Sequence, residues 1–304
     1  MTTSIAFLLS VYSNVRQANM FIRQLLRYQF AEVFVHFDSK LAHTEREQLI
    51  KNRHVHITPQ SFDVSWGEYS QIKVYNYLFN YAKQYADFDY YSLNSGADLL
   101  LCPIENFVKW LDDNQWFACY NCQPLPKYWQ YRGGFGRIEL YWPKCFLRRL
   151  SDHHPLRYLR TLYGMLYDKH IINGRTLPKQ YKYYGGNDWF TLSGRCVTKM
   201  LDFIKQHTDF DHLFHHSYIG TEIYYVSVFE MIRKNEKVIS DNNLRFVDWE
   251  NRGQIKNAGS PNIITMACYD KMMHDMQHDL RFFARKFDYR VDQQVVDKVL
   301  EQTT

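Results

Sequence analysis

The sequence lacks the features of a membrane-spanning or secreted chain. No stretch of its 304 residues approaches the roughly 18 uninterrupted apolar residues that a spanning helix needs. The apolar run from Ile5 to Leu9 is short and has neither a basic flank nor a cleavage site, so no signal peptide is predicted. A cytoplasmic protein, at most in peripheral contact with the inner face of the membrane, is expected.

Cysteine is scarce and has no framework spacing. The six cysteines are Cys102, Cys119, Cys122, Cys145, Cys196 and Cys268. Disulfide frameworks are typical of short secreted chains, so reduced thiols are expected here. Cys119 and Cys122 have C-x-x-C spacing, but a structural zinc site needs four ligands and no second pair stands at a matching distance.

A strong excess of one charge is also missing. The net charge is +5, which is too small and too dispersed to predict nucleic-acid binding. It suits an anionic substrate such as a nucleotide, or loose contact with an anionic membrane surface. Aromatic residues are abundant at 17%, with 24 tyrosines. Aromatic rings with a polar edge suit carbohydrate, although an aromatic core explains this composition equally well.

Alternating apolar strands and amphipathic helices occupy the first 120 residues. Strands are expected over residues 4–12, 32–37 and 54–57, and helices from about 14 to 28 and from 70 to 86. This order predicts an α/β fold with a mixed, mostly parallel sheet and helices on both faces. Residues 123–184 break the pattern, because they are rich in Pro, Gly, Arg and aromatics.

The segment Asp89–Asp98, with the sequence DYYSLNSGAD, predicts a buried strand that runs into a polar turn. Ligands of open α/β sheets bind beyond the carboxyl ends of the strands, so Asp98 is a candidate ligand contact. Asp87 and Asp89 have D-x-D spacing, which could hold Mg²⁺ or Mn²⁺ on a diphosphate. They precede the strand, however, so a structural turn is the favoured interpretation.

Glu222 follows Gly220 and Thr221 at the predicted start of a helix. A carboxylate there could stabilise the helix N-terminus by up to ~1 kcal/mol, or face a pocket as a general base. The glycine-rich segment Tyr131–Arg137 could let backbone amides approach an anion, but it does not follow a clear strand as a phosphate loop would.

Two adjacent cations, Arg285 and Lys286, lie between aromatic residues near the end of the chain. Charges among apolar side chains are costly to desolvate unless they are paired. Asp288 could pair with them, and a pyrophosphate is the functional alternative.

Seven segments of the chain, taken in order, resemble the core-2/I-branching β-1,6-N-acetylglucosaminyltransferase family, which includes the peptide O-xylosyltransferases. Together they span most of the sequence, and their shared order makes the resemblance specific. They are Val35–Asp38, Trp66–Ser70, Asp89–Asp98, Tyr184–Ser193, Gly220–Glu222, Leu244–Trp249 and Phe283–Asp288.

The resemblance implies a GT-A-like fold and an inverting, metal-independent transfer from a UDP-sugar. Glu222 matches the catalytic glutamate, and Lys286 with Arg285 matches the cations that neutralise the donor diphosphate. Asp38, with Val11, is expected to contact the nucleoside. The expected sugar-site residues are Asp98, Trp66, Tyr69, Trp189 and Trp249. No cofactor or metal is expected beyond the donor.

The implied organisation is one domain in three parts. The nucleotide-binding half covers about 1–122, an acceptor-side insertion about 123–184, and the catalytic and diphosphate-binding half about 185–304. The implied partners are a UDP-sugar and a glycan or lipid-linked glycan acceptor, in bacterial surface polysaccharide synthesis. The donor sugar stays open among GlcNAc, xylose and other hexoses, because donor choice depends on contacts to single hydroxyls.

Two departures from the family leave alternatives open. Thr221 stands where members carry a second acid, and an upstream arginine of animal members has only Arg245 and Arg252 as candidates here. A non-catalytic carbohydrate-binding or assembly protein on the same fold is therefore one alternative. A metal-dependent sugar transferase that uses Asp87 and Asp89 is the other.

Overall fold

The computed structural model describes residues 3–127, 129–147, 153–249 and 261–303. The strands are β1 Ile5–Val11, β2 Ala31–Phe37, β3 Val55–Ile57, β4 Tyr90–Ser95, β5 Leu99–Leu100, β6 Ala118–Cys119, β7 Cys122–Pro124, β8 Tyr184–Gly186, β9 Thr191–Ser193, β10 Val238–Ile239, β11 Arg245–Val247 and β12 Phe283–Arg285. The helices are α1 Val15–Leu25, α2 His43–Arg46, α3 Tyr69–Tyr85, α4 Ile104–Asn114, α5 Gln130–Gly133, α6 Gly136–Glu139, α7 Lys144–Leu147, α8 Pro155–Asp168, α9 Gly194–Gln206, α10 Thr208–Leu213, α11 Thr221–Ile232, α12 Tyr269–His278 and α13 Gln293–Gln302, with a 3₁₀ turn at Met266–Cys268.

A seven-stranded sheet forms the centre of the molecule, in the order β10-β6-β9-β4-β1-β2-β3. The strands β4, β1, β2 and β3 are parallel neighbours, and β10 is parallel to β6. Strand β9 runs antiparallel to both β4 and β6. The fold class is therefore the predicted one, a mixed and mostly parallel α/β sheet.

Strand β1 shows why both faces of the sheet need helices. All seven of its residues are buried. Successive side chains of a strand point to opposite faces. Accordingly Ile5, Phe7 and Leu9 join a cluster with α1, α4, α12 and α13, whereas Ala6 and Leu8 join a second cluster with α3, α9 and α11. The continuous apolar run predicted this two-sided burial.

A smaller sheet, β11-β12-β5, brings the last third of the chain back to the end of β4. Strand β12 pairs antiparallel with β5, where Ala284 lies opposite Leu99. Past β12, the backbone N–H of Phe287 donates to the Ala97 carbonyl at 2.8 Å. The turn after β4 and the segment after β12 are thereby held side by side.

The described residues between 123 and 184 include the helices α5 to α8, and this part of the chain has a small cluster of its own, made of Leu140, Trp142, Leu147 and Tyr167. The Trp142 indole N–H donates to the Gly136 carbonyl at 2.9 Å. The segment is tied to the chain just before α11, where the Tyr218 N–H donates to the Arg137 carbonyl at 2.8 Å. The predicted insertion therefore packs against the start of α11.

Candidate active site

The carboxyl ends of β1 and β2 place Val11 and Asp38 together, as the nucleoside prediction requires. The Asp38 backbone N–H donates to the Val11 carbonyl at 2.9 Å. Asp38 is buried, and its carboxylate accepts the Lys40 backbone N–H at 2.9 Å while the Lys40 ammonium lies 3.1 Å away. The side chain is thus held at the ligand edge of the sheet. Its contact with a nucleoside stays a prediction.

Asp98 is fully buried below this edge. Its Oδ1 accepts the Ser95 hydroxyl at 2.5 Å and the Arg285 Nε–H at 3.2 Å. Because the carboxylate has no exposed surface, the structure gives it a different position from the predicted sugar-site wall. Asp98 orients Arg285 from below, and sugar contact by its own oxygens has no support in this geometry.

Arg285 is itself largely buried and lies over the indole of Trp189, with Cζ 4.3 Å from the ring centroid. The backbone of Trp189 has φ 73°, a left-handed conformation that costs a non-glycine residue about 1 kcal/mol or more. Strain of this kind persists only where surrounding contacts hold it, and here the indole supports the guanidinium. Trp189 therefore acts on the cation in this structure, and its contact with a sugar stays a prediction.

Asp288 does not neutralise Arg285. Its carboxylate makes a two-point pair with Arg290, at 2.9 and 2.6 Å, and accepts the Asn14 amide at 2.9 Å. The Arg290 side chain holds the pKa of Asp288 below its usual range. The structural hypothesis for Asp288 is therefore wrong for Arg285. Lys286 is half-buried beside this arginine.

Glu222 lies in the first turn of α11, as predicted, and its side chain is 29% exposed. Its Oε2 accepts the Arg137 Nη1–H at 2.6 Å. The Arg137 guanidinium also lies over the Trp129 ring, with Cζ 3.8 Å from the centroid. A charge-assisted hydrogen bond and a stacked ring fix this guanidinium beside the carboxylate.

Sequence reasoning missed Arg137, since it weighed the glycine-rich segment only as a phosphate cradle. The structure uses those glycines for a tight reversal, with φ 68° at Gly133 and 100° at Gly134. A Cβ at Gly133 would lie 2.4 Å from a Pro126 carbon. The turn carries Arg137 to Glu222, 85 residues away. The sequence feature that marks this part of the site is the arginine after the glycine turn, rather than the backbone amides of the turn.

Lys127 is a second cation near Glu222, on the same side as Arg137. Its ammonium donates to the Gly185 carbonyl at 3.2 Å and lies 4.2 Å from the Trp129 ring centroid. Burial lowers the pKa of Lys127, the charge of Glu222 opposes that shift, and Arg137 adds to it. Residues from the insertion thus place positive charge around the carboxylate of α11.

Asp188 brings a second carboxyl group to Glu222. It follows β8, which runs along α11 with the Tyr184 N–H donating to Ser227 Oγ at 2.9 Å. Burial, with the charge of Glu222 adding to its effect, raises the pKa of Asp188 to about 7, although Thr221, Arg285 and Gln71 act in the opposite direction. Gln71 donates to its Oδ2 at 3.2 Å. Asp188 and Glu222 thus form an acidic pair in space, although Thr221 stands at the position beside Glu222 where family members carry the second acid.

Two buried polar atoms near these carboxyl groups have unused hydrogen-bonding capacity within the described residues. Asp188 Oδ1 and Thr221 Oγ1 are both buried, and neither makes a hydrogen bond of good geometry within the part of the chain that the structure describes. The hydroxyl is still close enough to lower the pKa of the carboxyl. Buried polar atoms of this kind are rare unless a ligand or water completes them.

Three predicted sugar-site residues lie elsewhere around the site. Trp66 is 42% exposed and makes an edge contact with Tyr218. The Tyr69 hydroxyl donates to Asp211 at 2.5 Å, so it is engaged within the protein. Trp249 is 38% exposed, two residues beyond β11. The sugar contacts of these three side chains stay predictions.

Arg245 is excluded as the family's second diphosphate arginine by its burial. Its guanidinium donates to the Leu93 carbonyl at 2.7 Å, the Asn94 side chain at 2.8 Å and the Asn243 carbonyl at 2.6 Å. Burial lowers the pKa of Arg245 to about 10. This arginine therefore ties β11 to the end of β4. The other candidate, Arg252, lies outside the described residues.

The D-x-D pair occupies the opposite edge of the sheet. Asp89 accepts both the backbone N–H and the hydroxyl of Ser4 at 2.8 Å, and Asp87 pairs with Lys83 one helical turn earlier. In the described ranges, no three His, Cys, Asp or Glu side chains cluster in a way that could hold a metal ion. All six cysteines are free thiols, which agrees with the expected absence of disulfides.

Comparison with known families confirms the resemblance over part of the chain. Residues 144–273 match the model of the Branch family, described as Core-2/I-Branching enzyme. The matched range contains Asp188, Glu222 and Arg245, and it ends before Arg285 and Lys286. Members of this family are glycosyltransferases, so the match supports that general class. No curated protein matches the sequence.

Similar solved structures are distant. One is described as a glucose-1-phosphate thymidylyltransferase from Bacillus anthracis in complex with sucrose, with 9% identity, a TM-score of 0.34, and 67% of this chain and 76% of that chain covered. Another is a 4-diphosphocytidyl-2C-methyl-D-erythritol synthase from Anaerococcus prevotii, with 10% identity, a TM-score of 0.36, and 79% and 89% covered. At these values neither supports an argument about function.

Proposed function

We propose that this chain is an inverting glycosyltransferase that moves a sugar from a UDP-sugar to a hydroxyl of a glycan acceptor without a metal ion. The observation that carries the proposal is the line of charges across the ligand edge of the sheet. A carboxylate, Glu222, lies on the insertion side, and a buried cation, Arg285, lies on the nucleotide side. Asp188 lies electrostatically coupled to both.

The reaction needs a base on one side and a charge acceptor on the other. The acceptor oxygen attacks the anomeric carbon, its proton passes to Glu222, and the bond from the anomeric carbon to the diphosphate oxygen breaks. The electron pair of that bond leaves with UDP. Fixed cations stabilise the new negative charge, which is the role proposed for Arg285 and Lys286.

The contacts of Arg285 suit a preorganised clamp. Asp98 binds its Nε and Trp189 supports one face, so the remaining guanidinium edge is held in one orientation before a ligand arrives. A preorganised donor avoids the ordering cost that a mobile lysine or arginine would incur at the transition state. Planar fork geometry also suits phosphate oxygens.

Arg137 is proposed to aim Glu222. The charge-assisted hydrogen bond between the two side chains fixes the orientation of the carboxylate that is proposed to accept the acceptor proton. On the nucleotide side, Asp38 with Val11 is proposed to receive the nucleoside. A role in bacterial surface polysaccharide synthesis, with a lipid-linked acceptor at the inner membrane, is proposed as the setting.

A second candidate function is carbohydrate binding without turnover. The observation that favours it is the 2.6 Å pair between Arg137 and Glu222, which occupies one oxygen of the proposed base. In that case UDP-sugars would bind without being consumed.

Turnover of a donor panel tests the proposal. UDP release is measured for UDP-GlcNAc, UDP-xylose, UDP-glucose and UDP-galactose with mixed glycan acceptors in EDTA, and thermal shift is recorded for each donor. The proposal expects one donor to stabilise the fold by mass action and to release UDP. Binding without release would favour the second candidate, whereas release that EDTA abolishes and Mn²⁺ restores would contradict metal independence.

A further inference from the structure

Helix α8, Pro155–Asp168, presents an apolar face to solvent. Tyr158, Leu159, Leu162 and Met165 are between 46% and 63% exposed. Their spacing of three and four residues places them on one side of the helix. Gly164 and Tyr167, on the other side, are buried against the rest of the insertion. The helix is therefore packed through one face while a second apolar stripe is left uncovered.

One more exposed apolar residue follows the helix in the chain. Ile171 follows α8 and is 65% exposed. Single exposed apolar residues are ordinary on protein surfaces, but a contiguous patch marks an interaction site. We call this patch of Tyr158, Leu159, Leu162, Met165 and Ile171 the α8 surface.

Cations border the α8 surface. Arg157 lies next to it along the helix, and the exposed Lys169 follows the last turn of α8. Lys144 is an exposed residue of α7, which packs against α8. The one acid in the helix, Asp168, has an oxygen engaged by the Arg132 backbone N–H at 2.9 Å. By sequence, residues 144–172 hold six Lys or Arg against two Asp, which gives +4 out of the whole chain's +5. In the described part of this range, four cations, Lys144, Arg157, Arg160 and Lys169, stand against the single acid Asp168.

We propose that the α8 surface docks on an anionic membrane surface. An exposed apolar stripe bordered by Lys and Arg, with a tyrosine at its edge, is the pattern of helices that lie in the membrane interface. The apolar side chains enter the headgroup boundary, and the cations meet the negative surface potential. A neutral protein partner would explain the stripe but not the concentration of charge.

The position of α8 fits the proposed reaction. The Tyr167 ring packs against Gly136, where an added Cβ would lie 2.7 Å from it, and the next residue is Arg137, the partner of Glu222. Docking through α8 would therefore set the acceptor side of the site near the membrane, where a lipid-linked glycan is presented. This placement rests on the proposed function, whereas the docking does not.

Vesicle co-sedimentation of the full chain tests the docking. Vesicles of phosphatidylcholine with one quarter phosphatidylglycerol are compared with pure phosphatidylcholine. Wild type is expected to bind the anionic vesicles and to be released as the salt concentration rises, because Lys and Arg contribute through screened electrostatics.

The double variant Leu159→Ser, Leu162→Ser is expected to lose about tenfold or more in vesicle binding, since several buried CH₂ groups are removed. Arg157→Glu with Lys169→Glu should lose binding to anionic vesicles as well.

Matched controls lie away from the α8 surface. Val291→Ser removes an equally exposed apolar side chain (57%), and Lys51→Glu reverses an exposed cation. Both control variants should bind vesicles as wild type does.

Equal binding by all variants, or no binding of wild type, would overturn the proposal. So would a wild-type dimer in sedimentation velocity that the double serine variant abolishes, because a second copy would then cover the surface. UDP release with a soluble acceptor should be unchanged in the serine variant, so docking and turnover can fail separately.

Discussion

The two carboxyl groups Asp188 and Glu222 come from different segments and meet at one point of the site. Burial and the charge of Glu222 raise the pKa of Asp188 to about 7, whereas Arg137 compensates Glu222 directly. The two carboxyl groups therefore lie in different electrostatic surroundings. A carboxyl group with a strongly raised pKa is typical of catalytic sites.

Replacing Asp188 by Asn should change the pH dependence of stability. A carboxyl whose pKa is raised by folding stabilises the native state fully below the unfolded pKa, near 3.8, and this contribution is lost as pH rises toward about 7. Asp188→Asn is thus expected to be more stable than wild type at pH 8, by about 2–4 kcal/mol at 1.36 kcal/mol per pKa unit, with little gain at pH 4. Urea unfolding at the two pH values measures the difference. An equal effect at both would show that the carboxyl is not protonated in the native protein.

Arg137 should matter for the rate more than for the fold. Arg137→Met removes the hydrogen-bond donor that orients Glu222, and a loss of about 10- to 100-fold in kcat is expected from one misplaced general base. The KM for the donor should stay near wild type, because the Arg285 side of the site is untouched. Arg53→Met, at an exposed arginine before β3, is the control. An unchanged kcat would leave Arg137 with a purely structural role.

At the scale of elements, the turn after β4 and the strand β12 depend on each other. The Asp98–Arg285 pair joins positions 187 residues apart, and the Asp98 carboxylate has no exposed surface. Removing one member of a buried pair leaves the other charge without compensation, which is costly. The same bond that stabilises this junction therefore also orients the proposed diphosphate clamp.

Asp98→Asn should lower both stability and nucleotide affinity. About 3–5 kcal/mol of unfolding free energy is expected to be lost, which urea titration measures. UDP should bind more weakly than to wild type in isothermal titration, because the guanidinium is no longer held. Asp87→Asn is the matched control, as its carboxylate is exposed at the far edge of the sheet and is expected to cost ~0.5 kcal/mol or less. UDP affinity unaffected by the loss of Asp98 would refute the orienting role.

Local sequence patterns predicted the elements that carry Asp38 and Glu222, because an apolar run and a helix start are each visible within ten residues. For Arg285 they showed only the cation pair, and the short strand β12 that carries it was not predicted. The same patterns did not show that Asp98 accepts a hydrogen bond from an arginine distant in the chain. They also missed Arg137 and Asp188. Those two meet Glu222 only because a glycine turn and the strand β8 fold back on α11, and no spacing in the sequence records such long-range packing.

At the scale of the whole molecule, one sheet with an apolar core on each face fixes a single ligand edge, and residues from all parts of the chain meet there. The proposed nucleotide side comes from β1, β2 and β12, and the proposed acceptor side from the insertion and α11. The described residues contain no helix that is long and apolar enough to cross a membrane. The α8 surface supplies the proposed membrane contact on the acceptor side.

The rate of sugar transfer by Glu222→Gln tests the central claim most directly. With the best UDP-sugar in EDTA, the account predicts a loss of about 10²- to 10⁴-fold in transfer, while donor binding and unfolding stay near wild type. Glu301→Gln, at an exposed carboxylate of α13, serves as the control and should keep full activity. Near-normal transfer by the Glu222→Gln variant, with its fold intact, would contradict the account.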